Sequence, residues 1–77
     1  MVKNETNQKT EKLLSTKGVA EILSLSPRTV HRLNSSALII KPLRISGSVR
    51  YIQSELMAWI EAGMPNRVEW EARKEAE

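Results

Sequence analysis

Five basic side chains in the middle of the chain carry most of the chemistry its residue types allow. Arg28, His31 and Arg32 fall within "SPRTVHRL" (26–33), and Arg44 and Arg50 flank "ISGSV" (45–49). A guanidinium is a planar fork of N–H donors that suits phosphate oxygens and the O6/N7 edge of a guanine, while the imidazole adds a donor or an acceptor. Composition removes most other chemistries. There is no cysteine and a single histidine, and every acidic residue is Glu. A Ser-His-Asp triad, a thiolate metal site and a His-rich zinc site therefore cannot be assembled within one chain, so no catalytic residue, metal or cofactor is expected. Seventy-seven residues also make one small domain with little room for an enclosed active site.

The formal charge of +3 is unevenly spread. Residues 13–52 carry Lys17, Arg28, Arg32, Lys41, Arg44 and Arg50 against Glu21 alone, whereas residues 53–77 set six Glu against Arg67, Arg73 and Lys74. A concentrated basic block is the electrostatic footprint expected of a polyanion-binding surface; a merely solvated basic face is the bland alternative. For Arg44 and Arg50 the rival is protection of a strand edge.

Local sequence signals say which elements must hold these cations. Ser15-Thr16 can cap a first helix through Leu23, with Val19, Ile22 and Leu23 on its apolar face and Ala20 small enough for close packing. Leu25 sits in a break. Ser26-Pro27 then restarts a helix, with Ser as N-cap and Pro at a first position that needs no donor. In this second helix, about Pro27 to Asn34, a turn of ~100° per residue puts Val30 and Leu33 on one side and Arg28, His31, Arg32 and Ser35 on the other. Two short helices so joined predict a helix-turn-helix. Residues 38–52 change to an alternating period. They predict a hairpin turning at Ser46-Gly47-Ser48, with Leu43, Ile45, Val49 and Tyr51 on the inner face and Arg44, Ser46, Ser48 and Arg50 on the outer one. Pro42 restricts the first strand to an edge. A third helix follows from Gln53 or Ser54 to Ala62, with Ser54 the candidate cap, Leu56, Trp59 and Ile60 facing the core, and Gly63 and Pro65 as stops.

The flanks read differently. Residues 1–12, "MVKNETNQKTEK", are polar, lack the apolar core of a signal peptide and predict a disordered tail. Residues 63–77 form a C-terminal tail or short helix, starting at Asn66 with Glu69 and Arg73 in i, i+4 register; Trp70 there packs either on the domain or on a second subunit. The longest aliphatic run, Ala37–Ile40, falls far short of the ~20 residues a membrane span needs. A cytoplasmic protein is expected, with no membrane partner.

The order helix, turn, helix, hairpin, helix over residues 13–62 is mainly α with a small β-hairpin, a compact winged helix-turn-helix. Its residues, "VAEIL" (19–23), "SPRTV" (26–30), "RL" (32–33), "RISGSVRY" (44–51) and "SELMAWI" (54–60), resemble the excisionase and AlpA-type regulator family, small phage- and mobile-element proteins related to the DNA-binding domain of MerR-type regulators. The resemblance implies double-stranded DNA as partner. The second helix would enter the major groove with Ser26, Arg28, Thr29, His31 and Arg32, and the wing would lie along the minor groove or backbone with Arg44, Ser46, Gly47, Ser48 and Arg50. It further implies a bacterial or phage-encoded, nucleoid-associated excisionase that bends DNA to direct integrase-mediated excision, with integrase and neighbouring copies as further partners. An AlpA-type transcription regulator of a prophage or element gene is the alternative within that class. A winged-helix protein-interaction module is the alternative outside it, and the arginines on both helix and wing argue against it.

Overall fold

Nine buried hydrophobic residues hold the domain together: Val19, Ala20, Val30, Ile39, Ile40, Tyr51, Leu56, Trp59 and Trp70. They come from every helix, from the longest strand and from one irregular loop. The structure is a computed structural model that describes residues 12–76. The predicted N-terminal tail, apart from Lys12, and Glu77 lie outside the described residues. Elements follow the order β1 (Leu13–Leu14), α1 (Thr16–Leu23), α2 (Pro27–Ser35), β2 (Leu43–Ile45), β3 (Ser48–Ile52), α3 (Gln53–Glu61) and α4 (Arg67–Ala76). The strands form one antiparallel sheet in the order β1-β3-β2. This is a winged helix-turn-helix.

The helix-turn-helix forms where the caps require. Ser15 Oγ accepts from the Gly18 N–H at 3.1 Å, and α1 closes through Ser24 in a left-handed conformation (φ 59°), with the Leu25 N–H on Ala20 O at 2.9 Å. Ser26 Oγ accepts from the Thr29 N–H at 3.1 Å, with Pro27 at the first position of α2. The buried arc of α1 runs over Val19, Ala20 and Leu23, so Ile22 falls outside it at 37% exposure, a correction to the expected inner face. At ~100° per residue Ile22 lies 60° outside Val19, on the far side from Leu23 and Ala20.

The hairpin departs from expectation by one residue. The pairs are Leu43 with Arg50, Arg44 with Val49 and Ile45 with Ser48, so only Ser46 and Gly47 form the loop. Both have positive φ (50° and 84°), as a type I′ turn demands. Side chains alternate along a strand and directly paired residues share a face, so shortening a three-residue loop to two turns all of β2 over. Leu43 and Ile45 therefore share the outer face with Ser48 and Arg50 and are 43% and 46% exposed, while Arg44 joins Val49 and Tyr51. The core positions expected of Leu43 and Ile45 are filled by Ile39 and Ile40, both fully buried in the irregular segment after α2.

Two further differences concern the ends of β3. Leu13–Leu14, too short to show a period, pair with Ile52 and Tyr51, and the Gln53 N–H extends the ladder to Lys12 O at 2.9 Å. Since β3 runs directly into α3, the N-cap is Ile52 and not Ser54, which lies inside the first turn.

The C-terminal helix belongs to the same core. Asn66 Oδ1 caps α4 through the Glu69 N–H at 2.9 Å, and Trp70 is only 8% exposed, with its indole N–H donating to Glu55 Oε2 at 2.9 Å. Lys74 Nζ lies 2.8 Å from the same carboxylate oxygen and 3.3 Å from Glu71 Oε2, while Arg73 pairs with Glu69 at 3.1 Å. Trp59 donates to Pro65 O at 2.7 Å across the turn made by Gly63 (φ 93°) and Met64 (φ 57°). Packing of Trp70 on its own domain answers the question that sequence left open.

Truncating a Trp in such a site costs ~3–5 kcal/mol, much of the ~4–12 kcal/mol expected for a domain of this length. Trp70→Ala should therefore lower the urea midpoint strongly at 25 °C, whereas a dispensable tail would give an unchanged midpoint. A second expectation concerns pH. Burial pushes the Tyr51 phenol above its ordinary 10.0, against a smaller opposing effect of Arg67; hydrogen bonding to Glu55, ahead of its charge and of Glu71, raises Lys74 above 10.5 despite some desolvation. Both groups hold their proton more tightly in the folded state. Their contribution is complete below the unfolded values and is lost as pH rises through the folded ones. The urea midpoint should accordingly lose this contribution only above about pH 10. Tyr51→Phe should soften that loss without lowering stability at pH 7, because the Tyr51 hydroxyl has no hydrogen-bond partner among the described residues. An unaltered alkaline limb in Tyr51→Phe would count against this account.

Candidate nucleic-acid interface

The α2 part of the surface follows from one helical stripe. Val30 is fully buried and Leu33 packs partly buried against the core, which leaves Arg28, His31, Arg32 and Ser35 exposed on the opposite side. Thr29 sits on the flank, half-buried. Its Oγ1 accepts from the Ser26 hydroxyl at 3.0 Å while its N–H donates to the same oxygen. Ser26 is thus engaged as a cap through both its proton and its oxygen. The Thr29 N–H goes to Ser26 Oγ and the Val30 N–H to Ser26 O, and Pro27 has none, so what this end offers an anion is the Arg28 N–H and the positive end of the helix dipole.

The wing part is built by the two-residue loop. Ser46, Gly47 and Ser48 form its exposed tip, and a Cβ added at Gly47 would meet nothing within 4 Å, so the tip is open as well as tight. Arg44 and Arg50 do not share a face, contrary to expectation. Arg44 is exposed on the side of Val49 and Tyr51; Arg50 lies half-buried on the other side, with Nη1 donating to Val49 O at 2.8 Å. The two arginines therefore flank the wing, one on each side, rather than lining one surface.

Charge pairing separates this region from the rest of the molecule. Arg28, His31, Arg32, Arg44 and Arg50 make no ion pair among the described residues. The salt bridges that do form join Arg73 and Lys74 to Glu55, Glu69 and Glu71 on α3 and α4. Cations at the C-terminal end are thus partly neutralised within the fold, while those of α2 and the wing stay available to an external anion. Among the described residues no group of His, Cys and Glu could hold a metal ion, and no helix is long and apolar enough to cross a membrane.

Sequence reasoning missed Arg67. Its Nε donates to Ile39 O at 3.0 Å, and its Nη2 lies 2.7 Å from Asn34 Oδ1, with longer approaches to Asn34 O and Ile40 O. Nothing local marks such bonds, which reach back about thirty residues; the only sequence signal is the apolar Ile39-Ile40 pair, which is buried and whose carbonyls then need donors.

Comparison with known proteins returns one finding. A family model described as a helix-turn-helix domain matches residues 13–64, from β1 to the turn after α3. No curated protein and no solved structure matches the chain.

The wing geometry predicts the effects of two substitutions. Gly47→Ala forces a Cβ into a left-handed conformation and should destabilise by about 1 kcal/mol, or about 4–8 °C in Tm for a domain of this size. Ser46→Asn, a residue that accepts positive φ, should raise Tm. The opposite order in a thermal melt would mean that the loop is not a type I′ turn.

Proposed function

Because the chain belongs to the helix-turn-helix domain family, small DNA-binding domains of the excisionase and AlpA type matched here over residues 13–64, we propose that it is a non-enzymatic excisionase. In this reading it binds and bends double-stranded DNA and so directs integrase-mediated excision of a phage or mobile element. The observation that carries the reading is the contrast in charge pairing: among the described residues the arginines of α2 and the wing make no ion pair, while the salt bridges cluster on α3 and α4. α2 lies in the major groove, where Arg28 or Arg32 takes a guanine edge, worth ~1–3 kcal/mol of discrimination, and the other grips phosphate. His31 lies beside them on the same exposed face. The first turn of α2, capped by Ser26 with Thr29 bonded to it, contributes the Arg28 N–H and the positive end of the helix dipole to a phosphate.

The wing lies over the adjacent minor groove or backbone. Ser46, Gly47 and Ser48 allow close approach, and Arg44 and Arg50, on opposite faces, reach the two strands that border a groove. One such module buries only ~600–1,000 Å², so modest affinity from a single copy is raised by neighbouring copies on adjacent sites and by integrase. Trp70 is taken up by the core and cannot serve those protein contacts. The outer side of α4, where Val68 is 78% exposed, is the surface left for them. The protein works in the cytoplasm, on the nucleoid, without metal or cofactor. An AlpA-type regulator would use the same surface at a promoter, so the position of the sites in the element separates the two roles.

A salt titration of binding to random duplex DNA tests the reading. Arg28→Ala/Arg32→Ala and Arg44→Ala/Arg50→Ala should each reduce the salt slope by about 1–2, since each phosphate that is no longer neutralised subtracts about 0.9. A wild type that binds no duplex at low salt would sink the proposal, and unchanged slopes in either pair would remove that element from the interface.

A further inference from the structure

We infer that Arg67 is a positioning residue for DNA binding: it holds the C-terminal end of α2 and the segment leading to the wing in one arrangement, so that helix and wing meet a duplex together. This rests on the DNA-binding reading above. Arg67 lies beyond the family match, which ends at residue 64, so it belongs to what α4 adds to the shared domain.

The geometry is that of a clamp. Helix α2 ends at Ser35, and the chain turns through Ser36 and Ala37, the latter in a left-handed conformation (φ 57°) that a residue with a Cβ adopts at a cost. Leu38 follows, exposed, and then Ile39 and Ile40 plunge into the core. Such a segment leaves carbonyls without helical or sheet partners. Arg67 supplies donors to them from one side chain: Nε to Ile39 O at 3.0 Å and Nη2 to Asn34 Oδ1 at 2.7 Å, with Asn34 O and Ile40 O at 3.4 and 3.5 Å. Its own backbone N–H donates to Ala37 O at 3.0 Å. The guanidinium thus ties the last turn of α2 to the two isoleucines that precede β2, and α4 holds the guanidinium in place through Trp70.

Arg67 is half-buried and directed into this cradle. Its role is geometric and not that of a phosphate ligand. Two weak surfaces joined rigidly gain from simultaneous engagement, and that gain disappears when the joint slackens. The two roles predict different salt behaviour. Removing a cation that neutralises a phosphate flattens the salt slope; removing alignment lowers affinity at an unchanged slope.

The test measures the full-length chain carrying Arg67→Gln or Arg67→Lys by two readouts. Amide hydrogen exchange in the free protein should speed up at Ser36, Ala37 and Leu38, whose N–H groups close the end of α2, while β3 stays protected. Affinity for random duplex DNA should fall about tenfold with the salt slope unchanged, and Lys should not rescue it, because it keeps the charge but lacks the fork. Ile60→Ala, which removes core packing on α3 but none of the Arg67 hydrogen bonds, should lower stability and leave affinity intact well below its melting temperature. If Arg67→Gln does not fold, Asn34→Ala removes the shortest of the acceptors and should act in the same direction with a smaller drop in affinity. Unchanged exchange, full rescue by Lys, an altered salt slope, or an equal drop in affinity in Ile60→Ala would each overturn the inference. A wild type that binds no duplex would overturn the DNA reading and this inference with it, whereas a variant that binds as well as a binding wild type overturns this inference alone.

Discussion

Burial of Trp70 is the constraint on which the rest of the arrangement depends. A chain this small has little apolar surface to bury, and its core draws one or two residues from each helix. An indole fills the remaining gap, but it brings an N–H that must be satisfied out of water. Glu55 accepts it and is in turn joined by Lys74. Placing Trp70 therefore fixes α4, and α4 carries Arg67 to the carbonyls at the end of α2. The same placement gathers Glu55, Glu69 and Glu71 with their cations on one side of the molecule. Among the described residues these carboxylates pair with Arg73 and Lys74 and with none of the arginines of α2 and the wing.

Much of this is legible in the sequence, and most of the parts that are not share a cause. The two caps, the Pro at the start of α2, the inward Val30 and Leu33 and the outward Arg28, His31 and Arg32 all follow from signals spanning four residues or fewer. Trp59 reads as core on the same basis. Apart from Ile22, placed on the wrong edge of the α1 stripe, and Ser54, displaced as the cap of α3 because β3 runs straight into that helix, the failures involve the partner of a strand or a loop. A two-residue turn and a three-residue turn both contain Ser46-Gly47, and only the pairing of Ile45 with Ser48 tells them apart. Leu43 and Ile45 look like inner-face residues because they alternate correctly; what assigns their face is the register across the loop. Ile39 and Ile40 merge into the same alternating run because a buried irregular segment has no period of its own. β1 is two residues long and exists only because β3 lies beside it, and Arg67 finds its acceptors through α4.

The candidate interface is legible in composition more than in geometry. Residue types and the stripe on α2 identify the cations, and the fold leaves them exposed. Yet the wing presents Arg44 and Arg50 back to back, so a ligand must embrace the hairpin to meet both. A groove with two walls suits that arrangement better than a flat anionic surface, which would engage one arginine at a time.

The strand order β1-β3-β2 has a bearing on how the chain reaches this state. The first strand finds its partner only when residues 51 and 52 are present, and the core is finished by a side chain at position 70. A growing polypeptide thus presents the segments of α1 and α2 before it has the partner strand of β1 or the closing indole. Folding is deferred until almost all of the described chain is available, and it then proceeds through contacts between distant parts of the sequence. The domain is made late and as a whole, so an interrupted translation product would carry both helices of the helix-turn-helix without the frame that gives them a surface.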